Sequence, residues 1–134
     1  MDRVQILKGA EGIKKAYIGI LAGEALDIVC LASNYEKVLG SWFDEVYSPK
    51  LYRLRTREIL PDTPANRAFA KAKDQSRNQV RFLSGMGSQS DVVVGENAAV
   101  LVSYDEKEPF AVLISDQELI SGLKVQFEVM WGGL

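Results

Sequence analysis

The chain of 134 residues and 14.8 kDa has the size of one domain, and its 47% apolar and 25% charged residues are typical of a soluble globular protein. Sixteen Lys and Arg against eighteen Asp and Glu give a net charge of -2, which argues against nucleic-acid binding as this chain's own task. The sequence contains no His. His-based acid–base catalysis, Ser–His and Cys–His nucleophile pairs and most zinc or iron sites are therefore excluded.

The sequence indicates a reducing compartment. Its one cysteine, Cys30, has no partner for an internal disulfide, no apolar stretch approaches the ~18 to 20 residues that cross a bilayer, and the first residues lack the features of a secretion signal. We expect a cytoplasmic protein with no membrane association. The carboxylates of Asp105, Glu106 and Glu108 lie in a predicted solvated turn, so we expect neither a metal nor a cofactor.

The first half of the chain alternates strands with helices. Apolar residues alternate over 4–8 and predict a strand, and helical spacing follows over 13–21. The continuous apolar run 26–32 is typical of a strand that is covered on both faces. A further strand is predicted over 56–60, after which Thr63 and Pro64 form a helix start.

A helix is predicted between the strands 26–32 and 56–60. The segment 33–36 matches a capping box, in which Ser33 and Glu36 satisfy each other's amide groups. Apolar residues at helical spacing continue over 35–47, and Pro49 should end or kink this helix.

The second half changes to the period of strands. A turn at 95–97 and a reversal at 105–108 separate strands, and a second capping box at 115–118 precedes a closing helix. The predicted strands are 80–83, 91–94, 98–104 and 110–114. Together, the elements predict an α/β fold with a mixed β-sheet and helices on both faces.

Several residues are candidates for ligand binding, each with a structural alternative. Ser33 and Asn34 follow the most buried strand, where ligands collect in open α/β sheets, but they also have a capping role. The basic cluster around Arg53, Arg55 and Arg57 offers an anion pocket or a solvated helix end. Cys30 lies in an apolar strand without a basic neighbour, which favours a buried structural thiol.

Three segments resemble the effector domain of TrmB-type transcriptional regulators. Residues 4–17 resemble its "strand, G-x-E-G-I-K-x-x-Y" opening, and residues 58–67 resemble its strand–turn–helix middle. The closing meander and helix correspond to residues 81–83, 92–102, 108–114 and 123–131. The resemblance extends over nearly the whole chain, and the order and spacing of the segments support it.

The resemblance implies a phospholipase D-like fold in a non-enzymatic role. Phospholipase D enzymes carry the motif H-x-K-x-x-x-x-D before a hairpin, and the matching stretch here, 88–97, lacks both the His and the Lys. We therefore expect no enzyme. The resemblance also implies a homodimer, by analogy with half-domains that pair around a two-fold axis. Since the chain starts where the sensor starts, we expect residues 1–134 to be a single sensor and dimerisation domain without the winged-helix DNA-binding domain.

The function predicted from the sequence is ligand sensing and dimerisation in a transcriptional regulator. A small-molecule effector would bind between Ser33–Asn34 and the loop 84–90, or at a dimer seam, and this chain alone would not bind nucleic acid. The candidate ligand-binding residues are Ser33, Asn34, Arg57 and Ser90.

Two alternatives remain open at this point. One is a dimerisation module without a ligand. The other is a phosphodiesterase-like enzyme that uses carboxylates such as Asp91 and Glu96, although a five-residue separation points them in opposite directions in a regular strand.

Overall fold

A seven-stranded mixed sheet forms the centre of the molecule in the computed structural model, which describes residues 2–85 and 87–134. The spatial order of the strands is β1-β7-β6-β5-β2-β3-β4. Strands β2, β3 and β4 are parallel, and all other neighbours are antiparallel. The strands are β1 (Val4–Lys8), β2 (Ala25–Cys30), β3 (Arg55–Pro61), β4 (Asn78–Leu83), β5 (Ser90–Val94), β6 (Ala99–Ser103) and β7 (Phe110–Ile114).

Helical segments cover both faces of this sheet. Helix α1 packs on β6 and β7, and the segments between β2 and β4 cover the same face, whereas α5 packs on the other face against β2 and β5. The helical segments are α1 (Gly9–Ile20), α2 (Tyr35–Leu39), the π-helical segment (Phe43–Tyr47), α3 (Ser48–Leu51), α4 (Pro64–Lys71) and α5 (Gln117–Gly132). The predicted α/β architecture is confirmed.

Alternation along β2 and β3 divides the core between the two faces. Leu26, Ile28 and Cys30 of β2 lie in the main core under α1 and α2, while Val29 packs with Ile59, Phe127 and Trp131 beneath α5. Because successive side chains of a strand point to opposite faces, a central strand covered by helices on both faces is apolar throughout, as the run 26–32 indicated.

The long helix predicted over 35–47 is interrupted. Helix α2 ends at Leu39 because Gly40 adopts φ 61° and ψ -144°, a conformation that residues with a Cβ rarely adopt. The chain resumes as the π-helical segment, which ends at Tyr47, and α3 begins at Ser48, so the helix type changes directly before Pro49, where an end or a kink was predicted. Pro49 lies in the first turn of α3, where its missing N–H removes no helical hydrogen bond.

The two predicted capping boxes differ from the structure. No side chain caps α2: Ser33 is turned toward Gln89, whose amide nitrogen donates to the Ser33 hydroxyl over 3.2 Å. At α5 the cap is Asp116, which accepts from the backbone N–H of Leu119 over 3.0 Å. The Thr63 cap is confirmed, since its hydroxyl accepts from the backbone N–H of Asn66 over 3.1 Å.

The topology places a cleft at the carboxyl ends of β2 and β3. The chain leaves β2 for α2 and leaves β3 for α4, so the start of each helix lies beside this edge of the sheet. The open edge of parallel strands is where α/β folds collect ligands. Within the described residues, none of the helices is both long and apolar enough to span a bilayer.

Candidate functional site

A buried carboxylate, Asp91, lies behind the wall of the cleft, where it is hydrogen-bonded to Tyr35, a residue that lines the cleft. Asp91 is the second residue of β5 and pairs with Cys30 at the end of β2, and only 3% of its surface is exposed. It accepts hydrogen bonds from the hydroxyls of Tyr17 (3.1 Å) and Tyr35 (3.0 Å) and from the backbone N–H of Ala32 (3.3 Å). These donors come from α1, α2 and the end of β2, so Asp91 joins three parts of the fold.

Tyrosine hydroxyls extend this network around Asp91. Tyr17 is hydrogen-bonded to Tyr104, and Tyr35 is hydrogen-bonded to the thiol of Cys30. Tyr47 stacks on Tyr17 with ring centroids 4.4 Å apart, and among the described residues its buried hydroxyl has no hydrogen-bond partner. The result is a polar cluster inside the main core.

Burial controls the protonation of this cluster. It raises the pKa of Asp91 to about 6, against the opposing effect of the Ala32 N–H and the tyrosine hydroxyls, which stabilise the ionised form. Burial and then the Asp91 charge also raise the pKa of the Cys30 thiol well above its ordinary value. The thiol therefore stays protonated and is not activated as a nucleophile.

A second buried carboxylate, Glu58, lies in the middle of β3 with 3% of its surface exposed. Its oxygens accept from the hydroxyl of Tyr52 at 2.9 and 3.2 Å. Burial raises the pKa of Glu58 to about 7, and the Asp91 charge acts in the same direction, whereas Tyr52 and the positive charge of Lys73 lower it. The two carboxylates thus interact electrostatically across β2.

Glu58 borders a cavity of about 160 Å³. The cavity is lined by Cys30, Ala32, Tyr35, Phe43, Asp44, Ser48, Tyr52, Glu58, Leu60, Asn66 and Phe69. An open groove next to it shares Ala32, Tyr35 and Asn66 with the cavity and continues past Ser33 and Gln89. A partly open pocket with aromatic walls and a few polar groups is a common form of a small-molecule site.

Three of the four predicted ligand-binding residues lie near this groove. Ser33 borders the groove itself, and Ser90 is bonded through its hydroxyl to Ser88, another residue of the groove. Asn34 donates to the backbone carbonyl of Tyr104 over 3.0 Å, and its buried side-chain oxygen has no hydrogen-bond partner within the described chain. Of the predicted loop 84–90, Met86 lies outside the described residues.

Arg57 does not join the other three. It lies on the α5 face of the sheet, where it donates to Asp27 at 2.9 and 3.0 Å and also to Glu128. Its guanidinium lies 5.0 Å from the ring centroid of Phe127. The hydrogen bonds to Glu128 and Asp27 raise the pKa of Arg57, so its charge is permanent and already paired.

The sequence interpretation named Asp91 only in the enzyme alternative and missed Glu58 and the tyrosines that surround the two carboxylates. The available signal was a charged residue inside an apolar strand: Glu58 precedes Ile59 and Leu60, and Asp91 precedes three valines. Such residues are rarely buried without a partner. Asp91 and Glu96 are separated as expected, because Asp91 is buried near the start of β5 and Glu96 is exposed in the turn that follows it.

Comparison with known proteins identifies the fold. No family model matches the chain, and no curated protein resembles it significantly in sequence. Solved structures do resemble it, and three of them share 11 to 15% of its sequence. NucT from Helicobacter pylori superposes with a TM-score of 0.67 at 11% identity, over 96% of this chain and 95% of that chain. Nuc, a phospholipase D family member from Salmonella typhimurium, gives 0.62 at 13% identity, over 96% and 93%.

The chain therefore has a phospholipase D-like α/β fold, as predicted. The same fold occurs in TrmBL2, a DNA-binding archaeal chromatin protein, which superposes with a TM-score of 0.62 at 15% identity over 98% of this chain. The chain covers 53% of TrmBL2, about half of its length. The resemblance to TrmB-type proteins is confirmed at the level of the fold.

Proposed function

We propose that this chain is a non-catalytic, ligand-sensing and dimerising domain of a transcriptional regulator. The cleft beside Asp91 and Glu58 would bind the effector. The neighbouring structures include a DNA-binding chromatin protein and a phospholipase D family member, so the fold is compatible with both regulation and hydrolysis. The residues of the cleft must therefore decide between them.

The absence of a nucleophile supports a role other than catalysis. The stretch 89–96 has the spacing of H-x-K-x-x-x-x-D, with Gln89 in the place of the His and Asp91 in the place of the Lys. A side-chain amide has no basic lone pair with which to attack phosphorus, and a buried carboxylate repels an anionic phosphodiester. Asp91 is moreover held by three donors, which suits a fixed structural centre.

The observation that carries the ligand-sensing role is the cavity of about 160 Å³ beside Glu58. It lies at the carboxyl ends of two parallel strands, and its walls come from α2, the π-helical segment and α4. A ligand there would contact short segments that are interrupted at Gly40, and its binding would change their packing on the sheet.

Exposed apolar residues support dimerisation. Strand β1 forms one edge of the sheet and exposes Val4 and Ile6, while α5 exposes Val125 and Val129, of which Val129 is 74% exposed. Edge strands and apolar helix surfaces are where chains associate.

A hydrolysis assay combined with thermal shift tests the proposed sensing role. We expect the purified chain to leave bis(p-nitrophenyl) phosphate unhydrolysed, and one class of compound in a panel of sugars, phosphorylated metabolites and amines to raise the melting temperature. Turnover that disappears in a folded Asp91→Asn variant would establish an enzyme instead. A dimer that no compound stabilises would support the ligand-free dimerisation module.

Light scattering tests the oligomeric state. With a chain of 14.8 kDa, a two-fold dimer has a mass of about 30 kDa. Val129→Asp should shift the dimer toward the monomer, whereas Asn97→Asp, which adds the same charge to the exposed turn between β5 and β6, serves as the control. A monomer at every concentration would contradict the dimer.

A further inference from the structure

We propose that the cavity beside Glu58 binds a small organic cation, a protonated amine or a guanidinium compound, held by Glu58 between aromatic rings. The inference rests on the proposed function, since it names the ligand class of the same site. Three properties of the cavity support it: the carboxylates near it, the aromatic residues that line it, and its volume.

The buried charge around the cavity has one sign. Glu58 and Asp91 are each 3% exposed, and in the described part of the chain no Lys or Arg nitrogen lies within 4.0 Å of either carboxylate. Their hydrogen-bond partners are neutral hydroxyls and one backbone N–H. Ionising a buried carboxylate that has no cation beside it costs free energy, and a positively charged ligand in the cavity would offset that cost and favour the ionised form. An anionic ligand would increase that cost.

The walls of the cavity are suited to a cation. Tyr35 and Phe43 stack with centroids 4.2 Å apart, and Tyr52 meets Phe69 edge-to-face at 5.6 Å, so two aromatic pairs contribute to the lining. Ring faces attract ammonium and guanidinium groups, most strongly where water is excluded. Asp44, an exposed residue of the lining, adds a carboxylate that would draw cations toward the opening.

One cation already lies close to part of this environment. Lys73 Nζ is 3.9 Å from the ring centroid of Tyr52 and 4.7 Å from that of Phe69, and its charge lowers the pKa of Glu58. Lys73 nevertheless stays beyond ion-pair distance of Glu58 and does not line the cavity. The rings and the carboxylate therefore already attract positive charge, without a side chain of the protein occupying the cavity.

The volume limits the size of the ligand. A cavity of about 150 Å³ in another protein holds benzene, so the 160 Å³ beside Glu58 fits roughly six non-hydrogen atoms. A four-carbon primary amine or a short guanidinium compound has this size, whereas a phosphorylated sugar does not fit within the cavity alone.

Three probes with the same number of carbons test the charge preference by calorimetry on the full chain at pH 8, above the pKa of about 7 of Glu58. n-Butylammonium, n-butanol and butyrate share one carbon chain and differ in charge. We expect n-butylammonium to bind at least about tenfold more tightly than the other two, the effect of one charge-assisted hydrogen bond. Binding of n-butanol or butyrate as tightly as the amine would overturn the cation site.

A matched pair of variants places the binding at Glu58. Glu58→Gln keeps the shape and removes the charge, and should weaken amine binding by about tenfold. Glu45→Gln makes the same change at an exposed position of the π-helical segment and should leave binding unchanged. If Glu58→Gln does not fold, as judged by circular dichroism, Asp44→Asn at the cavity opening should weaken binding about twofold to threefold at low salt.

The remaining outcomes separate this inference from the proposed function. If no amine binds but a sugar or phosphorylated compound raises the melting temperature, the cation site is wrong and the sensor role stands. If the amine binds and the chain also hydrolyses phosphodiesters, the site stands and the non-catalytic role is wrong. Amine binding that both Glu58→Gln and Asp44→Asn leave unchanged would overturn the assignment to this cavity.

Discussion

Arg57 and Glu58 are neighbours in β3 and point to opposite faces of the sheet, where their charges meet opposite situations. On the α5 face, Arg57 is paired with Asp27 and Glu128 and lies over aromatic rings. On the other face, Glu58 is buried with Tyr52 as its hydrogen-bond partner and a cavity beside it. One strand thus carries, one residue apart, a charge that is paired within the chain and a buried carboxylate that no Lys or Arg of the described residues contacts within 4.0 Å.

This difference indicates that the charged residues of the two faces have different roles: those of the α5 face stabilise the fold, and those of the other face are available to a ligand. Both carboxylates that Arg57 contacts belong to this chain, so its charge is paired within the fold. These ion pairs connect α5 to β2 and β3. The carboxylates of the other face have tyrosine hydroxyls and no cation as partners, so burial raises their pKa values and opposes their ionisation. A ligand site is expected where charge is not compensated internally.

The largest effect is expected from removing the centre of the uncompensated face. Asp91→Ala leaves the hydroxyls of Tyr17 and Tyr35 and the N–H of Ala32 without their buried acceptor. We expect a loss of about 3 to 5 kcal/mol in the free energy of unfolding. Urea denaturation measures it, with Asp105→Ala in the exposed turn as the control. A loss below about 1 kcal/mol would contradict the central role of Asp91.

The next largest effect is a pH dependence of stability that the buried carboxylates of the same face cause. Burial raises the pKa of Glu58 from its ordinary 4.5 to about 7, so the folded chain holds a proton that the unfolded chain has released between these values. The stabilising contribution of Glu58 is therefore full below about pH 4.5 and is lost as the pH rises from there through 7, by about 3 kcal/mol. Asp91, with a pKa raised to about 6, acts in the same direction.

Denaturation of Glu58→Gln across pH 5 to 8 isolates this contribution. The variant lacks the titrating group and should lose most of the decrease between pH 5 and 8, keeping the smaller part that Asp91 contributes. The exposed carboxylates of Asp62, Asp74 and Glu128 have lowered pKa values. Their contribution to stability is lost as the pH falls, which is opposite to the effect of Glu58, but this occurs only in more acid solution. An unchanged pH profile in Glu58→Gln would show that Glu58 is ionised throughout.

How far the sequence predicts the molecule depends on the range of the interactions. The strands, the Thr63 cap and the hairpin at 95–97 follow from neighbours within a few residues, and all were predicted. Asp91 and Tyr17 are 74 positions apart and meet only through the sheet order, so no local pattern indicates their contact. Arg57 was grouped with the ligand-binding residues for a related reason. Its surroundings depend on which face of β3 its side chain occupies, and what covers that face depends on the packing of α5.

The interruption of the helix over 35–47 could be predicted only in part from the local sequence. Its apolar spacing is helical, and the one local signal against a continuous helix is Gly40. The break brings Tyr35 and Phe43 into stacking contact beside the cavity. A local irregularity thus forms part of the candidate site, which a regular helix would not.

On the compensated face we expect a smaller loss. Arg57→Met keeps an apolar stem over Phe127 and removes the pairing with Asp27 and Glu128, which should cost about 1 to 2 kcal/mol because the network is partly exposed. Arg67→Met is the matched control. Arg67 also pairs bidentately, with Asp62, and lies over the Phe82 ring, but it is more exposed, so its loss should be smaller. Equal losses in the two variants would show that burial adds nothing to the Arg57 network.

The smallest expected effect is a difference between the two faces in how salt changes the stability lost on substitution. In 1 M NaCl the screening length is about 3 Å, so the loss caused by Arg57→Met should shrink by about half, because the pair partner Glu128 is 59% exposed and reached by solvent ions. The loss caused by Asp91→Ala should not change, since it comes from buried hydrogen bonds that ions do not reach. Denaturation of both variants at 0.1 and 1 M NaCl measures the difference. If the Asp91 loss also shrank in salt, solvent would reach the polar cluster, and the two faces would not differ in the way their charges suggest.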